Sequence, residues 1–210
     1  MSMKETVNVS CPDCGMAAAV TIYNSVRANE TSLKQEILEQ QIFDYRCYNC
    51  KSISRLVYPL LYVDNKKRFA VWYLSEGNTP EMQDALDEFS IITGNIRKRV
   101  VYEVSQLVET ILIFDSGLHD LFMYEYKILL QNKTGIPAEN FVFEQAHSLS
   151  TNETQVTFVI PAERRRATIS VPNANVAVHQ WCQLEEDLDW INVNTENFFK
   201  IYKQFIARFG

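Results

Sequence analysis

Three observations predict an α+β fold built in two successive parts. Two C-x2-C pairs, Cys11/Cys14 and Cys47/Cys50, sit among short β-branched and aromatic runs in the first quarter of the chain. Immediately after them, a polar turn at residues 64–68 separates two apolar runs, 60–63 and 69–74. From residue 105 onward, helical apolar spacing gives way to period-two runs, and the chain closes on a strongly amphipathic stretch at 195–209. The expected architecture is an N-terminal four-cysteine zinc ribbon with an inserted helix and a following β-hairpin. A mixed α+β C-terminal part, with an αα-hairpin and a terminal amphipathic helix, completes it. The composition break at Gly77, Asn78 and Pro80 places the boundary between residues 1–76 and 77–210, which can still pack as one domain.

Each element has a local reason. Residues 7–10 alternate and enter the first cysteine pair as a strand, and 17–26 leave it as a longer one. Residues 31–38 predict a helix, with Thr31 or Ser32 as cap and Leu33, Ile37 and Leu38 along one face. Strands at 42–46 and 53–58 flank the second pair, so knuckle and strand alternate in the order of a ribbon. Pro80 fits the first turn of a helix capped by Thr79, with Met82, Leu86 and Phe89 at helical spacing. A polar turn at 94–99 leads into a strand at 100–104. Helices at 105–115 and 118–131 follow, the first closed by Gly117 in a left-handed cap. Strands at 141–146, 155–160 and 167–171, a mixed helical stretch at 176–188 and a strand at 190–193 precede the last helix.

Composition sets outer limits. With 210 residues, 47% hydrophobic and 12% aromatic, the chain can bury a full core. A net charge of −6 argues against broad binding along a phosphate backbone. The start, MSMKETVNVSCPDC, carries no apolar export segment, and no run approaches the length of a membrane helix. The expected setting is therefore cytoplasmic, reducing and away from the membrane. There, paired cysteines are more often metal ligands than disulfides.

The cysteine pairs carry the strongest chemical signal. A two-residue gap lets both thiolates of a pair face one ion, and two such knuckles close a tetrahedral sphere. Cys11, Cys14, Cys47 and Cys50 are the expected ligands of a structural Zn2+, with no coordination position left for water or substrate. A thioredoxin-like redox site would need its pair at a helix N-terminus; Gly15 and the β-prone AAAVTIY follow instead. Pro12 preorganises the first knuckle, and Gly15 can adopt the left-handed conformation that turns an N–H toward sulfur. The second knuckle has Tyr48 and Lys51 at those positions. Arg46, Lys51 and Arg55 are near enough in sequence to offset the −2 charge of a four-thiolate zinc site. The remaining cysteine, Cys182, sits beside Trp181 with no flanking cation and reads as a small core residue.

Three stretches together resemble the CpXC family of prokaryotic proteins: VSCPDCG with its downstream C-x2-C, YPLLYVDNKKRFAVWYL, and ILIFDSGLHD. They cover about residues 5–130 in matching order. The resemblance implies four metal-binding cysteines at Cys11, Cys14, Cys47 and Cys50, and it carries over no catalytic residue.

Other constellations are weaker. Asp115, His119 and Asp120, with Glu125 following, could form an acid/base or second metal site, but an exposed polar face with helix capping explains them as well. Basic triplets at Lys66-Lys67-Arg68, Arg97-Lys98-Arg99 and Arg164-Arg165-Arg166 lie in or beside predicted turns and would serve nucleic acid only if they converged. Hydrolase, zinc-protease and nucleotide-binding motifs are absent. The expected function is a non-enzymatic module that binds another protein or copies of itself. A nucleic-acid-associated ribbon, and an enzyme with its site in the C-terminal half, are the alternatives.

Overall fold

Strand β1 (Met3–Ser10) runs antiparallel to β2 (Ala17–Arg27), from Ser10 opposite Ala17 to Lys4 opposite Tyr23, with an irregularity between Met3 and Lys4. This ribbon opens a computed structural model that describes residues 2–75, 96–172, 174–185 and 190–209. The alternation of β2 sets its inner face, where Ala18, Val20 and Ile22 are covered while Ala17, Ala19 and Thr21 stay exposed. Only its last turn of register, Ser25 to Arg27, pairs with β5 (Leu60–Asp64), and that pairing is parallel. β5 then forms the expected hairpin with β6 (Phe69–Tyr73), Leu60 opposite Tyr73 and Asp64 opposite Phe69. Asp64 Oδ1 accepts the N–H of Lys67 at 2.9 Å, and Arg68 closes the turn at φ 57°.

Between β2 and β5 lie helix α1 (Thr31–Leu38) and a short antiparallel pair, β3 (Asp44–Arg46) with β4 (Ile53–Arg55). Two expectations change here. Neither Thr31 nor Ser32 caps α1: Glu30 occupies that position, and its carboxylate instead accepts the N–H and hydroxyl of Ser2, each at 2.7 Å. The strand expected over 42–46 begins as a 3-10 turn at Gln41–Phe43, because Gln40 adopts a left-handed φ of 60° and sends the chain inward. Ile42 and Phe43 are buried in consequence. The Phe43 ring packs 5.1 Å from Tyr58 and 5.4 Å from Tyr73, and the Tyr58 hydroxyl donates to the Ile42 carbonyl at 2.7 Å.

Backbone contacts divide the chain into two compact units, Met1–Ile92 with Val101–Val108, and Thr93–Val100 with Glu109–Gly210. The boundary expected between 76 and 77, and the helix expected after Thr79 with Met82, Leu86 and Phe89, lie outside the described residues. Strand β7 (Arg97–Val101) and helix α2 (Val104–Asp115) each continue across that division.

In the second unit, Gly117 at φ 72° ends α2 and helix α3 (Asp120–Thr134) follows, itself ended by Gly135 at φ 75°. Lys127 of α3 reaches Glu109 of α2 at 2.6 Å, tying the αα-hairpin across its interior. β8 (Val142–Ser150), β9 (Glu153–Ile160) and β10 (Arg165–Pro172) form an antiparallel sheet in the order β10-β9-β8. Helices α4 (Ala174–Glu185) and α5 (Thr195–Phe209) complete it. The core gathers Leu121, Met123, Phe141, Phe143, Val156, Phe158 and Phe198 around a fully buried Trp181. α5 supplies an aromatic stack to that ring, with Phe205 at 4.2 Å from Trp181. The strand expected at 190–193 reduces to one parallel bridge between Ile191 and Arg99, because Asn192 turns its amide onto the Val100 carbonyl at 2.8 Å.

Candidate metal centre

Each cysteine pair sits at the end of a two-stranded ribbon, the first between β1 and β2, the second between β3 and β4. The two turns use the same hydrogen bonds. Gly15 N–H donates to the Cys11 carbonyl at 2.9 Å, and Lys51 N–H donates to the Cys47 carbonyl at 3.0 Å. One residue further on, the strands are locked by Cys11 N–H to the Met16 carbonyl and Cys47 N–H to the Ser52 carbonyl, both at 2.9 Å. Gly15 and Lys51 carry the left-handed step of each turn, at φ 70° and 64°. In each pair the first cysteine is buried and the second exposed.

The four sulfurs converge within 4.8 Å of one another. Cys11 Sγ lies 3.6 Å from Cys50 Sγ, and Cys14 Sγ lies 3.7 Å from Cys47 Sγ, so each close pair spans the two knuckles. Metal–sulfur bonds of about 2.3 Å at tetrahedral angles place sulfurs roughly 3.8 Å apart, so the cluster has the dimensions of a four-thiolate metal site. All five cysteines are free thiols, which sets the disulfide alternative aside in this structure.

The thiols differ in how their surroundings treat the charged form. The Ser52 hydroxyl, 3.4 Å from Cys11 Sγ, is the main influence holding that thiol down at about 6, helped by the N–H groups of Cys14 and Asp13. Cys47 is held below the ordinary thiol range by the N–H groups of Cys50 and then Asn49, working against burial. Ser52 also lies 3.0 Å from Cys50 Sγ and favours its thiolate, yet burial and the crowding sulfurs of Cys11 and Cys14 push Cys50 up. The fold thus favours the thiolate at the two buried cysteines, Cys11 and Cys47, and disfavours it at Cys50. Val9, Met16, Ala18, Val20 and Leu56 pack around Cys11, Tyr45 and Cys47 and seal the inner side. Among the described residues the Tyr45 hydroxyl meets no nitrogen or oxygen partner, and its pKa is pushed up to about 12, first by burial and then by the Cys47 sulfur.

Two of the three cations expected near the sulfurs take other acceptors. Arg55 pairs with Asp44 at 3.2 Å, and Lys51 Nζ donates to the Tyr48 carbonyl at 2.6 Å. Proximity in sequence did not reveal that nearer acceptors would compete for them. Ser52, by contrast, looks like an ordinary loop serine. Its one signal is position: it follows Cys47 by the interval at which Met16 follows Cys11.

The acid/base candidates resolve differently. His119 and Asp120 are not an exposed polar face: they are 0% and 5% exposed. His119 caps α3, its Nδ1 accepting the Leu121 N–H at 3.3 Å, and its ring stacks over Trp181 at 6.1 Å between centroids. Asp120 receives a two-pronged pair from Arg99, Nε at 2.5 Å and the second nitrogen at 2.7 Å. Asp115 is half-buried at the end of α2, and Glu125, raised above its ordinary value by burial, meets the Tyr202 hydroxyl at 3.4 Å. His147 and His179 are exposed.

The basic triplets also part company. Arg97-Lys98-Arg99 forms strand β7 rather than a turn, with Lys98 and Arg99 buried. In the third triplet, Arg165 pairs with Glu163 at 3.1 Å and Arg166 with Glu144 at 2.6 Å. Cys182 is half-buried, 4.0 Å from an Arg97 nitrogen.

Among known proteins, the family model described as CpXC protein matches residues 9–126, more than half of the chain. The match begins just before the first knuckle and ends inside α3, so it takes in both cysteine pairs, the β5–β6 hairpin and the Arg99–Asp120 pair. No curated protein and no solved structure matches the chain.

Proposed function

From the premise that this chain belongs to the CpXC family, we propose that it is a protein-interaction or assembly module, stapled by a structural Zn2+ on Cys11, Cys14, Cys47 and Cys50 and without catalytic chemistry of its own. The observation that carries the reading is the spacing of the four sulfurs, 3.6 and 3.7 Å across the two knuckles. A bound Zn2+ would supply neutralising charge and a fixed tetrahedral link between two hairpins. Four thiolates of this softness suit zinc or iron, and a mononuclear ribbon of these spacings favours zinc. Cys11 and Cys47 would hold the ion from the buried side, with Cys14 and Cys50 closing it toward solvent, leaving no position for a substrate.

A further observation supports a binding role. Tyr48, Ile53 and Val57 are 59%, 65% and 64% exposed on the segment that carries the second knuckle. Large apolar side chains left exposed within one short segment are candidates for partner contact. The acid/base reading loses support because His119 is sealed beneath Trp181 and Phe114, and the nucleic-acid reading because the charges of Arg99, Arg165 and Arg166 are spent on carboxylates. The proposed setting is the cytoplasm, where thiols stay reduced; among the described residues no helix is long and apolar enough to cross a membrane.

Elemental analysis of the purified protein is expected to give one zinc per chain, lost in Cys47→Ser. Iron in its place, or full zinc content in that variant, overturns the site. A mobility-shift assay at low salt is expected to show no retardation of single- or double-stranded nucleic acid. A salt-dependent shift would establish the nucleic-acid reading instead.

A further inference from the structure

The first unit contains a second feature that the metal centre does not use. β2 and β5 are neighbouring parallel strands, and at their carboxyl ends the chain leaves the sheet in two loops. Between those loops lies an open cavity of about 320 Å³, lined by Arg27, Ala28 and Asn29 on one side and Val63, Asp64, Asn65 and Lys66 on the other. The hydrogen bond from Ala28 N–H to the Val63 carbonyl, 3.0 Å, forms its floor and fixes the two rims relative to each other. The crevice opens because β2 and β5 exit the sheet side by side, β2 toward helix α1 and β5 into the hairpin turn to β6. The volume is at the lower end of small-molecule sites.

The lining chemistry is specific. Arg27 and Lys66 bring two cations from opposite rims, and Asn29 and Asn65 bring two amides. Among the described residues none of these four side chains has a hydrogen-bond partner, and Arg27 has only the longer-range attraction of Glu30. Asp64 is 6% exposed; one of its oxygens already accepts the Lys67 N–H, which fixes the carboxylate at the cavity edge. Two cations flanking amides and a single fixed carboxylate match a ligand with an anionic end and neighbouring hydroxyls. The cations take the anion and the carboxylate accepts from the hydroxyls. We infer that this cavity binds a small phosphorylated sugar, with Arg27 and Lys66 on the phosphate and Asp64 on the hydroxyls. The proposal is independent of the metal centre and gives Lys66 of the first basic triplet a use.

Titration of the full, zinc-loaded chain with ribose 5-phosphate, ribose and inorganic phosphate, followed by amide chemical shifts, tests it. Ribose 5-phosphate is expected to bind saturably at millimolar or tighter affinity, with shifts centred on residues 27–29 and 63–66. Phosphate is expected to bind more weakly at the same residues, and ribose not at all. Lys66→Ala and Arg27→Ala should each weaken ribose 5-phosphate about tenfold, the value of one charge-assisted hydrogen bond. Asp64→Asn should bring ribose 5-phosphate down to the affinity of phosphate while leaving phosphate unchanged. Lys66 is exposed, so its variant should fold as the parent does, and an unchanged melting temperature confirms it. Absence of saturable shifts at these residues, equal affinity for phosphate and ribose 5-phosphate in the parent, or indifference to both cation variants overturns the proposal.

Discussion

The first knuckle is built on Pro12 and Gly15, the second on Tyr48 and Lys51, yet their backbone hydrogen bonds agree to within 0.1 Å. The turn is therefore set by what four converging sulfurs require, and sequence decides only how much that geometry costs. At Gly15 a left-handed φ is nearly free. At Lys51 it carries the roughly 1–2 kcal/mol strain of any residue with a Cβ. Burial follows the same division in both: Cys11 and Cys47 face the apolar seal, Cys14 and Cys50 face water. What separates the knuckles is the residue after the left-handed step. Met16 packs into the seal, whereas Ser52 turns a hydroxyl toward both Cys50 and, across the cluster, Cys11.

The largest test of that equivalence is ligand removal. Structural zinc in small domains contributes an apparent ~10–16 kcal/mol near neutral pH, comparable with or above the whole stability of a typical domain. Cys47→Ser is expected to lose the metal and unfold at least residues 1–75, seen as lost zinc and lost amide protection over β1 to β6. Cys11→Ser should match it, since both cysteines are buried in one apolar seal. Cys50→Ser should lose zinc with less unfolding, because no packing is disturbed on the solvent side. A Cys47→Ser protein that keeps native melting would end the view that the metal holds the two ribbons together.

The strain difference predicts opposite signs at equivalent positions. A Cβ at Gly15 would meet nothing within 4 Å, so Gly15→Ala should cost only the left-handed strain less a gain from the stiffer unfolded chain, a net of about 1 kcal/mol. Lys51→Gly should instead stabilise, by roughly 0.5–1 kcal/mol, since relief of strain exceeds the added chain entropy. Denaturant melts of the zinc-loaded proteins read both. The same sign in both variants would show that the knuckles are not equivalent.

How much of this could be read before the fold was known depends on the range over which each feature is encoded. The knuckles are local, fixed by two-residue gaps and by turn residues, so their cysteines, the flanking β1 and β2 and the β5–β6 hairpin that follows are visible in the sequence. Residues 42–43 show where local reading stops. Their apolar character fits a strand, but the left-handed Gln40 turns them into the core as a 3-10 turn. Arg99 and Asp120 are twenty-one residues apart, and each reads as a surface charge until the fold buries them as a pair. Similarly, the stacking of His119 on Trp181 joins residues more than sixty positions apart, which no spacing rule reaches. Ser52 was missed for another reason: its sequence signal is present but becomes meaningful only once the two knuckles are superposed.

The smallest expected effect isolates that serine. Its hydroxyl is the foremost influence lowering Cys11 to about 6. A thiol depressed in the folded state contributes stability at pH above its ordinary value near 9, and that contribution disappears as pH falls through the folded value. Acid must protonate such a thiolate to expel the metal, so the lower Cys11 is held by its hydrogen bonds, the further toward acid the parent should keep its zinc. Ser52→Ala removes the hydroxyl without altering the backbone bond from Cys47 N–H, so Cys11 should protonate at higher pH and zinc should depart earlier on the acid side. Release to a chromophoric chelator, followed as pH is lowered, reads the midpoint directly. The matching change in the first knuckle, Met16→Ala, should lower stability through lost packing but leave the midpoint of acid release where it was, because no polar group of Met16 addresses a sulfur. Equal midpoints for the parent and Ser52→Ala would assign the low Cys11 value to the backbone N–H groups alone, and would make the two knuckles alike in chemistry as well as in shape.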